Sequence, residues 1–394
     1  MNSLRHLPFV LPALCLVCSL WTARAQSFDA GSNGSLGALN VTETDLTVDL
    51  PPDGRLQYTT VTVAAGRTLR FNRNALNTPV YVLAQGDVVV NGVIDVSGAQ
   101  APGSPPIGGV GGPGGFDGGK PGFGAGFPPG DGYGPGGGGG GITGAGEAAA
   151  GGAGYGTPGG GGTSAFKGAS YGSPLLIPLM GGSGGGGDTG TPGAGGGGGG
   201  GAILIASNTR IVVAAGGRVD AMGGNWRATS HNAGSGGAVR LLAPRVEGAG
   251  IVRVEGGSSG GGHGRIRVDC FDKTSLRLDF RPLSLTTVGA NMFVAPSVVP
   301  RLDIVEAAGR TIALGTGELV QVLLPFGSET NRTIVLRAQD FNADVPVRLT
   351  LTPDSGPRIV IDTNIVNTAV NPATVSIPVG LPVNNLITVH AWTR

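Results

Sequence analysis

The sequence is short of cysteine, of charge and of any helical period, and each shortage excludes a class of protein. Only three of 394 residues are cysteine. Cys15 and Cys18 lie in an apolar leader, so Cys270 is left without an intramolecular partner and a disulfide framework is excluded. Charged residues make up 13% of the chain and the formal net charge is +1, where about a quarter charged is usual. Without a basic face, neither nucleic acid nor an anionic membrane is an expected partner. His231, His263 and His390 stand apart with no HExxH or Cys–His spacing, so no transition-metal site is expected. Calcium is the one cation left open. Gly111 to Asp117 and Gly181 to Asp188 place aspartate after glycines, but they miss the GGxGxD spacing and do not repeat.

Residues 1–25 read as an export signal. Arg5 and His6 precede an apolar run from Leu7 to Leu20, and Ala23-Arg24-Ala25 offers small residues for cleavage before Gln26. The run is too short, and too interrupted by Pro8 and Pro12, to anchor in a membrane. No second stretch of spanning length follows, so no membrane insertion is expected. The predicted location is extracellular or cell-surface, with the periplasm as the alternative.

What is present is β-pattern and glycine. Thr47 to Leu50 and Thr59 to Phe71 alternate apolar and polar residues around turn signals. Residues 79–98 hold three short β-rich pieces, Val80 to Leu83, Val88 to Val90 and Val93 to Val96, with corners too short for most connections but right for one coil of a parallel β-helix. Asn91-Gly92 would also serve as a hairpin turn. The phrase returns in residues 201–224 and 237–257. Ile94-Asp95-Val96 aligns with Val219-Asp220-Ala221 and Val252-Arg253-Val254, and a truncated copy follows around Arg267. In this register Asp95, Asp220, Arg253 and Arg267 form a solvent-facing ladder over an inward apolar column.

Nearly half of residues 101–200 are glycine. Such a segment has no side chains with which to build an ordinary core. It leaves the coil after the strand that ends in glycine, as does a shorter excursion at 225–236. Two readings stay open, a disordered spacer or a sheaf of polyproline-II-like chains bonded through their backbones. From about Val299 glycine thins and seven period-two strands follow: 310–314, 319–324, 332–338, 346–352, 358–362, 374–378 and 386–391. The expected fold is therefore all-β: a short right-handed parallel β-helix-like solenoid at 26–280 with a glycine-rich insertion at about 99–201, a linker at 281–300, and an immunoglobulin-like β-sandwich at 301–394.

The phrases Phe28 to Ser35, Leu50 to Gly54, Asn77 to Val80 and Gly86 to Gly98, followed by glycine tracts, resemble a group of glycine-rich secreted bacterial surface proteins. The resemblance covers most of residues 26–270. It implies an envelope or extracellular location and brings no activity or catalytic residues.

No nucleophile elbow or phosphate loop rises above the glycine background, because every glycine-spaced match lies where such matches come free. The expected function is non-catalytic: a secreted or cell-surface structural or adhesive protein contacting polysaccharide or envelope material. Its candidate binding residues are Tyr133, Tyr155, Tyr171 and Trp226, aromatics in the excursions that could stack on sugar faces or clasp the loops to the solenoid. The alternative is a β-helix polysaccharide lyase or glycoside hydrolase, with Asp95 and Asp220 as stacked carboxylates and Arg218 beside them.

Overall fold

The computed structural model describes residues 27–103, 107–123, 128–141, 150–161, 166–189, 193–225, 232–258, 260–296, 298–314, 320–353 and 359–393. The leader with Cys15 and Cys18, and also Trp226, Arg227 and His231, lie outside the described residues. Among those described there is no α-helix, and the chain is all-β.

Residues 39–289 wind through six circuits, most of which give one strand to each of three parallel sheets. The first circuit is β1 (Leu39–Val41), β2 (Leu46–Asp49) and β3 (Arg55–Tyr58), and the second is β4 (Val61–Val63), β5 (Thr68–Asn72) and β6 (Val80–Ala84). The third is β7 (Val88–Val90), β8 (Val93–Asp95) and β9 (Ala202–Ser207); the fourth is β10 (Arg210–Val213), β11 (Arg218–Asp220) and β12 (Ala238–Leu242). The fifth is β13 (Arg245–Glu247), β14 (Ile251–Arg253) and β15 (Arg265–Asp269), and the sixth supplies only β16 (Asp279–Arg281) and β17 (Thr286–Gly289). This is a β-helix-like stack.

Each sheet drives apolar columns into the shared interior, because alternate residues of a strand face the same way. In the second sheet the column runs Leu46, Leu69, Ile94, Val219, Val252, Phe280. In the third it runs Leu56, Val82, Ile205, Leu241, Val268, Val288. The register read from the sequence for Ile94, Val219 and Val252 is the one observed. Asn91-Gly92 is a corner between two sheets rather than a hairpin turn: a Cβ on Gly92 would lie 2.3 Å from the carbonyls of Ala64 and Arg67 in the circuit below.

Two expectations are corrected. Arg267 does not continue the ladder of Asp95 and Asp220, since β15 pairs with β12 in the third sheet and sets Arg267 beside Arg240. The ladder is completed by Arg281 instead. Residues 286–289, expected in a linker, pair as β17 with β15.

The third sheet is buried on both faces, which explains why VYVLA, AILIAS and AVRLL read as continuous apolar runs. Its inner face joins the main core. Its outer face, with Tyr81, Leu204 and Leu242, is roofed by Tyr155, Leu176 and Leu179 from the insertion, by Ala30, and by Met292 and Val294.

The described residues of the glycine insertion are ordered, as the sheaf reading requires. The bundle's central chain is residues 196–201. Gly196 and Gly199 donate to Gly119 and Phe116, Gly197 and Gly200 to Asn232 and Ser235, and Gly198 and Gly201 to Ala99 and Val96. Its carbonyls accept from Gly109 and Gly112, from Gly185 and Gly182, and from Gly224 and Ala238. Partners that change every residue and recur every third are the mark of a threefold extended helix. Each chain can then bond to neighbours on all sides, so the interior is made of backbone. A Cβ on Gly197 would sit 2.1 Å from the Gly224 carbonyl oxygen, and one on Gly185 1.9 Å from that of Asn232.

Residues 301–393 form two antiparallel sheets. One has the order β19 (Arg310–Thr311), β18 (Arg301–Ala307), β20 (Asn331–Gln339), β23 (Ala373–Gly380), and the other β22 (Ile359–Val366), β21 (Asp344–Pro353), β24 (Ile387–Thr393). Residues 320–324 are not a strand, and β18 takes the place expected for them. Val347, Leu349 and Leu351 face the core as their alternation predicts. Thr350, on the opposite face by the same alternation, is also buried, because that face carries the cleft described next.

Candidate functional site

The stacked register brings Asp95 and Asp220 onto adjacent rungs, with Arg70 below and Arg253 above. Two like charges at rung spacing are tolerated because each is answered by an arginine. Arg253 grips Asp220 with both ends of its guanidinium, Nε to Oδ1 at 2.8 Å and Nη2 to Oδ2 at 2.7 Å. Arg218 Nε lies 3.5 Å from Asp220, whose side chain is only 5% exposed. The hydrogen bond to Asp220 raises the Arg253 guanidinium above its ordinary value. Asp95 accepts the Ser97 amide at 3.0 Å and faces Arg70 Nε at 3.6 Å. The ladder is therefore not uniformly solvent-facing: Asp220 is buried beneath its arginines. The bidentate arginine takes one acceptor position on each oxygen of Asp220.

The aromatics separate into two groups. Tyr155 is buried, packs against Tyr171 at a centroid distance of 4.6 Å with the rings tilted by 41°, and donates its hydroxyl to the Met180 carbonyl at 3.0 Å. Tyr171 donates to the Gly181 carbonyl at 2.6 Å and accepts from Ser183 at 2.9 Å. Burial pushes both phenols well above their ordinary pKa. These two rings clasp the insertion to the third sheet. Trp226 lies outside the described residues.

Tyr133 is different. It stands where the glycine bundle meets β24, in a cleft of about 130 Å³. The bundle contributes Asp131, Tyr133, Pro135 and Lys167, and the antiparallel sheet contributes Arg348, Thr350, His390 and Trp392. The Tyr133 and His390 rings are 4.4 Å apart. His390 stacks on Trp392 at 5.2 Å with 8° between planes, and Phe116 meets Trp392 edge-on at 5.0 Å. Burial lowers the His390 imidazole to about 4 against the opposing pull of Asp117, so it is neutral at neutral pH. Arg348 is pinned by Asp362 through bonds of 2.7 and 2.9 Å, and that hydrogen bonding raises its pKa. The cleft thus offers flat apolar rings edged by cations and a carboxylate, a surface that suits a ring with polar edges.

Of this cleft the sequence reading singled out only Tyr133. His390 and Trp392 lie at alternate positions of β24 facing away from its core residues, and a strand with large rings on its outer face was the available signal. Arg348 and Lys167 carry no local mark. Among the described residues no three of His, Cys, Asp and Glu gather in a way that could hold a metal ion. No protein-family model, curated protein or solved structure matches this chain.

Proposed function

We propose that this is an exported, non-catalytic structural or adhesive protein that contacts glycan or cell-envelope material through the cleft of Tyr133, His390 and Trp392. The observation that carries the reading is the aromatic wall shared by bundle and sheet. Stacked rings beside Lys167, Arg348 and Asp131 match the apolar faces and hydroxyl edges of a sugar. The commitment of Asp220 to Arg253 weighs against the lyase or hydrolase alternative. The parallel stack is read here as a right-handed solenoid, the hand that parallel crossovers take. The four- and three-stranded antiparallel sheets are read as an immunoglobulin-like sandwich. Export rests on the leader at 1–25, with surface or extracellular retention as the destination.

The test is retention of the purified protein on a panel of insoluble polysaccharides and cell envelopes. Trp392→Ala and Tyr133→Ala are each expected to lower affinity for a retaining material about tenfold or more, while Phe123→Ala, an exposed ring elsewhere on the insertion, leaves it unchanged. Retention that survives Trp392→Ala, or no retention on any material, would overturn the proposal.

A further inference from the structure

Both ends of the parallel stack are open. At one end β1, β2 and β3 each pair on a single side, and at the other β16 and β17 do the same. One apolar column runs out into solvent at each end, while Leu56, which begins the third-sheet column, is buried. Leu46 closes the second-sheet column and is 37% exposed; Val288 closes the third-sheet column at the opposite end and is 42% exposed. In the middle of the same columns Leu69, Ile94, Leu241 and Val268 are fully buried. Leu36 at the first end and Leu283 at the other add further exposed apolar surface. Strands β1, β2, β16 and β17 contain no proline, and no charge points inward among the column residues. Neither proline nor an inward charge blocks these edges, although the strands are only three or four residues long and β16 carries Asp279 and Arg281.

The two ends also differ in charge. Residues 27–58 carry Asp29, Glu43, Asp45, Asp49 and Asp53 against the single base Arg55, whereas residues 271–289 carry Lys273, Arg277 and Arg281 against Asp272 and Asp279. The first end is acidic and the other mildly basic. Two like ends would set acidic surfaces together, and unlike ends set acid against base.

We infer that the open ends are an interface for a second copy of this chain, joined head to tail so that the first circuit of one copy continues the last circuit of the next. The column that ends in Phe280 then resumes with Leu46 of the neighbour, and free backbone groups of β16 meet those of β2; β3 is already bonded in part by Leu36 and Ser32. A junction that joins the two opposite ends of one stack extends along the stack axis, so it builds linear chains. The inference is independent of the cleft, which no residue of the stacked circuits lines.

The test is sedimentation and negative-stain electron microscopy of the purified protein over a wide concentration range. Concentration-dependent linear oligomers that weaken with added salt are expected. Leu46→Arg blocks one end and Val288→Arg the other. Each variant alone is expected to be monomeric, and an equal mixture of the two to form dimers and stop there, since one intact end of each kind remains. Should either substitution disturb folding, as judged by circular dichroism, the exposed charges serve instead. Glu43→Lys or Lys273→Glu is expected to weaken association about tenfold, and mixing the two variants to restore it. A wild-type protein that stays monomeric, single-end variants that still form chains, or folded mixtures that never dimerise would overturn the inference.

Discussion

In the stacked circuits the side chains are the interior and the backbone faces sideways to the neighbouring rungs, whereas in the glycine bundle the backbone is the interior. The first core is held by apolar area removed from water, spread over columns such as Leu69, Ile94, Val219 and Val252. The second removes little apolar area. Its central chain instead bonds to neighbours on every side in a threefold pattern. Glycine loses much conformational entropy on ordering. The bundle meets that cost by satisfying its buried amides and carbonyls with one another, and by being pinned where it enters and leaves the stack at β8 and β9. The Tyr155–Tyr171 clasp and Leu176 hold its flank to the third sheet. The two cores therefore differ in what they tolerate. A side-chain core accepts a smaller residue at a graded loss, but the central backbone chain from Gly196 to Gly201 has no room for even one methyl group.

The sharpest break of this comparison is Gly197→Ala. Its Cβ would lie 2.1 Å from a backbone carbonyl oxygen that cannot swing away, so a loss above about 4 kcal/mol is expected. The readout is thermal or denaturant unfolding, with hydrogen exchange showing the amides of the bundle unprotected while those of the circuits persist. A cost no larger than that of Gly380→Ala, where nothing lies within 4 Å of the added carbon, would mean the bundle is not close-packed. Next in size is Leu69→Ala in the side-chain core, expected to cost about 2–5 kcal/mol, with Ile94→Val at about 1 kcal/mol giving the graded response that the bundle lacks.

The seam between bundle and sheet answers to pH. The His390 pKa is lowered to about 4 from 6.5, so the folded form binds its proton less readily than the unfolded chain does. The stability tied to neutral His390 is complete above pH 6.5 and is lost as pH falls toward 4, by at most about 1.4 kcal/mol per pH unit. Stability measured between pH 7 and 4 should fall more steeply in the wild type than in His390→Gln. Parallel curves would remove His390 from the seam's energetics. The smallest expected effect is Gly380→Ala itself, within about 0.5 kcal/mol by unfolding.

How much of this was legible can be argued residue by residue. Ile94, Val219 and Val252 could be aligned because a strand repeats its facing every second residue, and three phrases shared one spacing to their closing glycine. Arg267 was misplaced because its phrase, GRIRV, has the same local pattern in either sheet. Only the pairing of β15 with β12 decides between them. Most strands of the two antiparallel sheets follow from alternation, but 320–324 is not a strand and β18 was missed because RLDIVEA holds a bulge between Ile304 and Glu306 that breaks the period. Tyr133 could be marked as an aromatic among glycines, but nothing local tied it to His390 and Trp392, more than 250 residues away in sequence.

By itself the sequence determined that this chain is β-rich, that its circuits share a register, and that a glycine segment without side chains must be either unordered or packed through its backbone. Those conclusions follow from periodicity and from steric freedom, which are local. The tertiary structure alone decided that the glycine chains bond in a threefold bundle, that Asp220 is held beneath Arg253, and that a cleft opens where the bundle meets β24. Each of these depends on which distant backbone or side chain arrives alongside, and hydrogen bonds and ring contacts that span the chain leave no trace in the spacing of neighbouring residues.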